Sequence, residues 1–209
     1  MYTLYNTPGA GGFVVQALLE ELGLDYSLVH LDFEAGEHKA KAYRDINPLG
    51  QVPSLVLPDG SVMTESAAIL IYLCDLHPNA GLAPSPASAL RAPYLRWLML
   101  LSSGVYTANL RCYHPEDFTT ADDPEPVREV GERHLTEGWC VVEEALRAGG
   151  PWLLGAQFSA ADLYAMMIAQ WAPDPAANFA RFPHLKTLCE DVRARPAVAK
   201  ILPQHDGFW

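Results

Sequence analysis

Glu65 and Ser66 stand side by side at the head of an apolar run, "TESAAILIYL", and a valine–proline pair, Val52-Pro53, precedes them across a short hairpin signal. An X-Pro bond is cis in about 5–6% of cases in folded chains. With Val52-Pro53 in that form, the amide and carbonyl of Val52 turn outward, where an extended peptide can pair with them. A serine at a helix start offers its hydroxyl and nearby N–H groups to a carboxylate, and Glu65 can accept from an ammonium group. Such a corner suits an α-amino acid end. Glu65 and Ser66 taken alone also read as ordinary helix caps, and the pair by itself leaves both readings open.

A second stretch, "YNTPGAGGF" at residues 5–13, hands a strand-like run to a helix-like run. It carries hydroxyls at Tyr5 and Thr7 but no cysteine, serine or histidine. Gly11 and Gly12 either simply permit the turn or let a ligand sulfur approach the main chain at the helix start. A thiol with an ordinary pKa near 8.5 is acidified there, because free N–H groups and the helix dipole favour its anion. Tyr5 also fits a strand residue packed by its ring, and Thr7 a loop residue before Pro8.

The elements that must position these groups follow from the pattern. "YTLYN" reads as a strand, "GFVVQALLEELG" as a helix closed by Gly23, and "DYSLVHLDF" as a second strand. A short helix-like piece at "KAKAYRDIN" comes next. Two short strands, "SLVL" and "SVMTE", are joined by "PDG", and the helix "ESAAILIYLCDLH" ends at Pro78. The order βαβαββα predicts a small sheet with helices packed on it, an α/β domain over residues 1–78. A Pro, Ala, Gly and Ser-rich linker at 79–87 follows. From 88 to 209 the strand signals stop, and "ALRAPYLRWLMLLSSGVYTANL", "PVREVGERHLTEGWCVVEEALRAG", "SAADLYAMMIAQWA" and "FPHLKTLCEDVRAR" predict an all-helical domain.

Of 209 residues half are hydrophobic, enough for a substantial core. No apolar run approaches the roughly 20 residues a membrane span needs, and "MYTLYNTPG" lacks the marks of a secretory signal, so a soluble cytoplasmic protein is expected. The net charge is −11 and the cations form no stripe, which argues against nucleic acid or an anionic membrane as partner. Cys74, Cys112, Cys140 and Cys189 are scattered, with no metal-ligand spacing, and read as reduced thiols. No metal is expected. Before Pro78 there are 3 basic residues, Lys39, Lys41 and Arg44, against 10 acidic ones. An anionic ligand of the first domain must rely on those cations, Lys39 among them, and on backbone dipoles.

Turn, proline, hairpin and "TES" in this order, with "NPLGQVPSL" and "TESAAI" as the most specific pieces, resemble the cytosolic glutathione transferase superfamily, nearest its bacterial beta-type branch. The resemblance spans nearly the whole chain and implies a thioredoxin-like domain followed by a helical one. It implies that Val52 pairs main chain to main chain with the cysteinyl unit of glutathione, that Pro53 is the cis proline, that Glu65 and Ser66 hold the γ-glutamyl end, and that Gln51 touches the same ligand. Ser159 and Asp162 in "FSAADLYAMM" fit an N-cap box, a folding element in this family.

One departure is instructive. Beta-type relatives carry a cysteine, often followed by a serine, where this chain has Gly11 and Gly12, so no mixed disulfide with a protein cysteine can form at this turn. Tyr106 falls where those relatives carry a histidine facing the sulfur, and a phenol can donate to a thiolate; it also fits an apolar face with Leu98, Leu101 and Val105. Trp97, Met99, Tyr113 and Trp171 fit either an apolar acceptor site or ordinary core. Three functional readings follow. The first is a homodimeric transferase that binds glutathione as co-substrate, stabilises its thiolate through Gly11, Gly12, Thr7, Tyr5 or Tyr106, and delivers it to a small apolar electrophile in detoxification. The second is a glutathione-dependent peroxidase or disulfide reductase without a protein cysteine. The third is a transferase-like binding or regulatory protein without catalysis.

Overall fold

Side chains alternate along β1 (Tyr2–Asn6), which buries Leu4 and Asn6 on one face. The strand sits inside a four-stranded sheet of order β2-β1-β3-β4, with β2 at Tyr26–His30, β3 at Ser54–Val56 and β4 at Val62–Met63. β1 and β2 are parallel, so a crossover must join them, and α1 (Phe13–Glu21) is that crossover. Its apolar run buries Phe13, Val14, Val15, Ala17, Leu18 and Leu19. The helix ends as "ELG" predicts: Gly23 takes φ 63°, its N–H reaches the Glu20 carbonyl and that of Leu24 reaches Leu19, the paired bonds of a Schellman motif. β3 and β4 are antiparallel about the "PDG" turn, and α2 (Lys41–Arg44) and α3 (Ser66–Leu76) complete the expected βαβαββα order.

This computed structural model describes residues 1–172 and 174–205. They form two compact units, one of Met1–Gly81 with the chain from Arg193 onward, the other Leu82–Val192. The C-terminal segment, including α10 (Pro196–Ile201), thus packs with the sheet-containing unit. Its ties to α1 are ionic at the rim: Arg195 Nε and Nη2 donate to Glu21 at 2.6 and 2.7 Å, and Lys200 Nζ to Glu20 at 2.7 Å.

The second unit is helical, with α4 (Arg91–Met99), α5 (Tyr106–Tyr113), α6 (Glu125–Gly149), α7 (Ala160–Ala169), α8 (Pro175–Arg181) and most of α9 (Pro183–Arg193). The single helix expected from "ALRAPYLRWLMLLSSGVYTANL" is interrupted by a π-helical segment, Leu100–Val105. The reason is local: Ser103 Oγ donates to the Met99 carbonyl at 2.7 Å, next to Gly104, which has no side chain to stiffen the turn. α5 and α6 meet closely, since a Cβ on Gly131 would lie 2.9 Å from Arg111 Cβ. Every residue of α7 is buried. No described helix is long and apolar enough to cross a membrane.

Asp162 anchors α7 within that buried setting. Its carboxylate accepts from Ser159 N–H at 2.8 Å, from the Ser159 hydroxyl at 3.0 Å and from Leu153 N–H at 2.8 Å, the capping box read from "SAAD" extended to one more strand of chain. Replacing Asp162 with alanine leaves buried N–H groups without acceptors and is expected to lower stability by about 2–4 kcal/mol. Urea denaturation measures this, and a loss below about 0.5 kcal/mol would show that the box does not hold the helix.

Candidate functional site

Strand register gathers the candidate residues of the first unit, though not Tyr106 of the second, at one end of the sheet. Asn6 pairs with His30, Tyr5 with Ser54, and Leu55 with Met63. The turn at 7–12 after β1, the segment at 31–39 after β2, residues 51–53 before β3 and Glu65 with Ser66 after β4 therefore all leave the sheet at that same end.

The corner at Val52 is built by side chains behind it. The Gln51 carbonyl accepts from Tyr43 Oη at 2.6 Å and from Asn47 Nδ2 at 2.8 Å, and Tyr43 Oη lies 2.8 Å from Ser54 Oγ. Burial raises the Tyr43 phenol above its ordinary value and keeps it a donor. The Val52-Pro53 bond is cis. Gln51 is thus fixed, while the N–H and C=O of half-buried Val52 have no partner among the described residues. Those two groups are free for an extended ligand. Glu65 is exposed and adopts φ 60°, ψ 96°, a left-handed backbone rare for a side-chain-bearing residue and, among the described residues, unique to it outside glycine. Such conformations cost about 1–3 kcal/mol and persist where the surroundings enforce them, often at ligand sites. Ser66 follows, buried, as the first residue of α3. Gln51 and Lys39 are exposed at the same end of the sheet.

The glycine-rich turn is equally specified. Gly12 N–H donates to Asn6 Oδ1 at 3.1 Å, and a Cβ on Gly12 would come within 2.2 Å of the Asn6 side chain. Ala10 N–H reaches the Thr7 carbonyl at 3.3 Å, Phe13 N–H the Ala10 carbonyl at 3.0 Å, and Gly9 N–H the imidazole Nδ1 of His205 at 3.2 Å. The expectation that Gly12 offers its N–H to a ligand is therefore corrected: Asn6 already takes that hydrogen. Gly11 N–H has no acceptor among the described residues, and Thr7 Oγ1 likewise has none. Tyr5 lies in β1 with its ring 5.7 Å from that of Tyr43. A cleft of about 590 Å³ opens beside Thr7 and Pro8, walled by residues 30–34 and Glu37. In the second unit, Tyr106 begins α5 directly after the π segment, its ring 5.0 Å from Trp171.

His205, Asn6, Tyr43 and Asn47 are contributors that sequence reasoning passes over. His205 is 2% exposed and packs edge-on against Phe13, with ring centroids 4.9 Å apart. Because Nδ1 accepts from Gly9, Nε2 carries the proton and donates to Gln16 Oε1 at 2.8 Å. Gln16 Nε2 then donates to Gln204 Oε1 at 2.9 Å and to Tyr26 Oη at 3.1 Å, and Tyr26 Oη to Glu20 at 2.9 Å. The chain of donors is self-consistent only with His205 neutral. Asn47 opens the quoted "NPLGQ" and Tyr43 precedes it by four residues, and a buried polar role for them was discoverable there. For His205 no local signal exists.

The chain matches two family models, the glutathione S-transferase N-terminal domain over residues 1–75 and the glutathione S-transferase C-terminal domain over 114–204. It is 32% identical to glutathione S-transferase 3 of Zea mays, across 94% of this chain and 91% of that protein. It is 29% identical to the disulfide-bond oxidoreductase YfcG of Escherichia coli strain K12, across 97% and 94%. Among solved structures, a glutathione transferase homolog from Sulfitobacter with bound glutathione superposes with a TM-score of 0.87 at 29% identity, covering 100% of this chain and 99% of that one.

Burial, and to a smaller degree His30, hold the His205 imidazole down at about 4, against an ordinary 6.5. Between those values the unfolded chain binds a proton that the folded chain refuses. The stabilisation is therefore fully present above about pH 6.5 and is lost as pH falls toward 4. Replacing His205 with phenylalanine is expected to remove this part of the acid profile, so that the stability gap between the two proteins narrows from pH 6.5 to pH 4. A gap that stays constant over that range would exclude His205 from the titration.

Proposed function

The chain belongs to the glutathione S-transferase family, and from that premise we propose that it binds glutathione at the sheet end, stabilises the thiolate and transfers it to a small apolar electrophile. The observation that carries this reading is the corner itself: Val52 with free main-chain N–H and C=O, next to the left-handed Glu65 and the helix-starting Ser66. The cysteinyl unit pairs with Val52 as an added strand. Glu65 accepts from the γ-glutamyl ammonium, while Ser66 and the first N–H groups of α3 face its carboxylate. Gln51 lies alongside, and Lys39 is the cation for the other carboxylate.

With the peptide so placed, its sulfur points to the turn at 7–12 and the start of α1. Gly11 N–H and Thr7 Oγ1 are the donors open to it. Lowering the thiol pKa by two units requires about 2.7 kcal/mol of preference for the thiolate, and one or two charge-assisted hydrogen bonds supply about that much. The thiol proton passes to water. The sulfur lone pair then forms a bond to the electrophilic carbon as the leaving group departs with its electrons. Tyr106 is assigned as a further donor because of its place in the chain relative to the family's histidine, and the π segment just before it is a feature frequent at functional sites.

One observation favours a second reading. The turn has no cysteine, and the four cysteines lie elsewhere, three of them buried in helices and Cys140 exposed on α6. Reduction of a hydroperoxide would then use glutathione alone: a first thiolate attacks oxygen to give a sulfenic acid and an alcohol, and a second resolves it to the disulfide and water. Turnover of an aryl halide, an organic hydroperoxide and a mixed disulfide by the same preparation separates the readings. Absence of any calorimetric response to millimolar glutathione would exclude both in favour of a protein that neither binds nor uses it.

Replacing Ser66 with alanine is expected to weaken glutathione binding by about 1–3 kcal/mol, the usual cost of depriving a charged group of a partner. Unchanged affinity in calorimetry would disprove this corner. Tyr106→Phe is expected to cut turnover at least several-fold with little change in glutathione affinity. Turnover within a factor of about two would instead leave activation to Gly11 and Thr7.

A further inference from the structure

We infer that His205 is a positioning residue for the thiolate, holding the glycine-rich turn through Gly9 N–H in the form that leaves Gly11 N–H to the ligand. The inference rests on reading glutathione as that ligand. A turn with glycines at 9, 11 and 12 has many accessible backbone states, so its single form must be imposed from outside. Two side chains add to the turn's own Ala10–Thr7 and Phe13–Ala10 main-chain bonds in imposing it. Asn6 takes the hydrogen of Gly12 at 3.1 Å, and His205 takes that of Gly9, whose φ is 72°, at 3.2 Å.

The two anchors differ in origin. Asn6 lies on the adjoining strand and is local to the turn, whereas His205 arrives from 196 residues away. It is locked on both sides, by Gln16 Oε1 on Nε2 and by the Phe13 ring edge-on, and both of those residues belong to the helix that the turn introduces. His205 therefore fixes the turn relative to α1. A donor aimed at developing negative charge is effective only when it needs no reorganisation. Losing the Gly9 acceptor frees the peptide units next to Gly11 to rotate, which weakens thiolate stabilisation more than peptide binding, since the latter depends on Val52, Glu65 and Ser66. Charged and titratable groups near the imidazole are His30 on β2 and, through Gln16 and Tyr26, Glu20 on α1.

The test is the thiol pKa of bound glutathione, followed by the ultraviolet absorbance of its thiolate against pH, together with calorimetric affinity. His205→Phe preserves ring packing and removes the acceptor. It is expected to show about tenfold less thiolate at a pH below the thiol pKa, equivalent to one unit, while affinity changes less than about threefold. His205→Asn and His205→Gln keep an amide: the first restores an acceptor at the Nδ1 position, the second at Nε2. Thiolate near the wild-type level in the Asn variant and depleted in the Gln variant supports the role, even where the Phe variant fails to fold. The reverse order, or a wild-type thiolate fraction in all the variants, overturns it. Wild-type protein that binds no glutathione, or binds it without forming thiolate, overturns the functional reading and this inference with it, whereas an intact wild-type response with unaffected variants overturns this inference alone.

Discussion

The hydrogen bond from Gly12 N–H to Asn6 Oδ1 decides what the end of this sheet can be. Asn6 is the last residue of β1, fully buried, and its amide fills the space in which a side chain at position 12 would project. The contact at 2.2 Å admits no Cβ, so the two positions are coupled: a side chain at 12 requires a different residue at 6. In the beta-type branch that this chain resembles, cysteine and often serine occupy the corresponding turn. Here a buried asparagine fills the room beside position 12, and Thr7 with the main chain is what the turn has left to offer. An arrangement so rich in glycine has to be precise in another way, because each glycine adds about 0.5–1 kcal/mol of ordering cost relative to alanine. The anchors at both ends of the turn offset that cost.

From this constraint the division of labour at the site follows. The proposed peptide recognition falls to residues held by a rigid frame, with Tyr43 and Asn47 converging on the Gln51 carbonyl and Glu65 in a left-handed backbone. The proposed sulfur chemistry falls to the turn. The two halves share the sheet end but not their supports, since Tyr43 and Asn47 come from the segment before β3, whereas the turn is braced from Asn6 and from the C-terminal segment. Changes in one half can therefore leave the other in place.

Most of the fold was legible because its causes are local. Alternation wrote the strands, Gly23 wrote the end of α1, and "SAAD" wrote the capping box, each through contacts within a few residues. The cis Val52-Pro53 bond, the hairpin after it and the helix start at Ser66 were legible for the same reason, since they are neighbours in sequence. What escaped has nonlocal or subtle causes. α8 and α10 are short helices that begin at Pro175 and Pro196, where proline reads as punctuation before it reads as a first helical residue. The π segment depends on one serine hydroxyl bonding back to Met99, and "LLSSGV" is otherwise a plausible helix. Gly12 looked like an open approach to the main chain because nothing in "YNTPGAGG" reveals that Asn6 folds back onto it. His205 lies near the other end of the chain, and its partner at Gly9 is invisible until the C-terminal segment is seen to join the first unit.

Before Pro78 acidic residues outnumber basic ones 10 to 3, and the Arg193, Arg195 and Lys200 that the C-terminal segment adds to the first unit leave the acidic ones in the majority, so the background field opposes a thiolate. A cationic histidine at the turn would counter that field, since a unit charge about 4 Å away is worth roughly 4 kcal/mol at an effective dielectric of 20. His205 takes the opposite part. Buried and held as an acceptor by Gly9 N–H, it stays neutral and contributes geometry in place of charge. On the proposed reading the thiolate is then stabilised by fixed dipoles, N–H groups and the start of α1, at about 1.5–3 kcal/mol for each charge-assisted bond. Dipoles act over short range and only along their own direction. A site that relies on them gains nothing from a loosely held turn, and that is why a side chain 196 residues distant is recruited to hold one glycine.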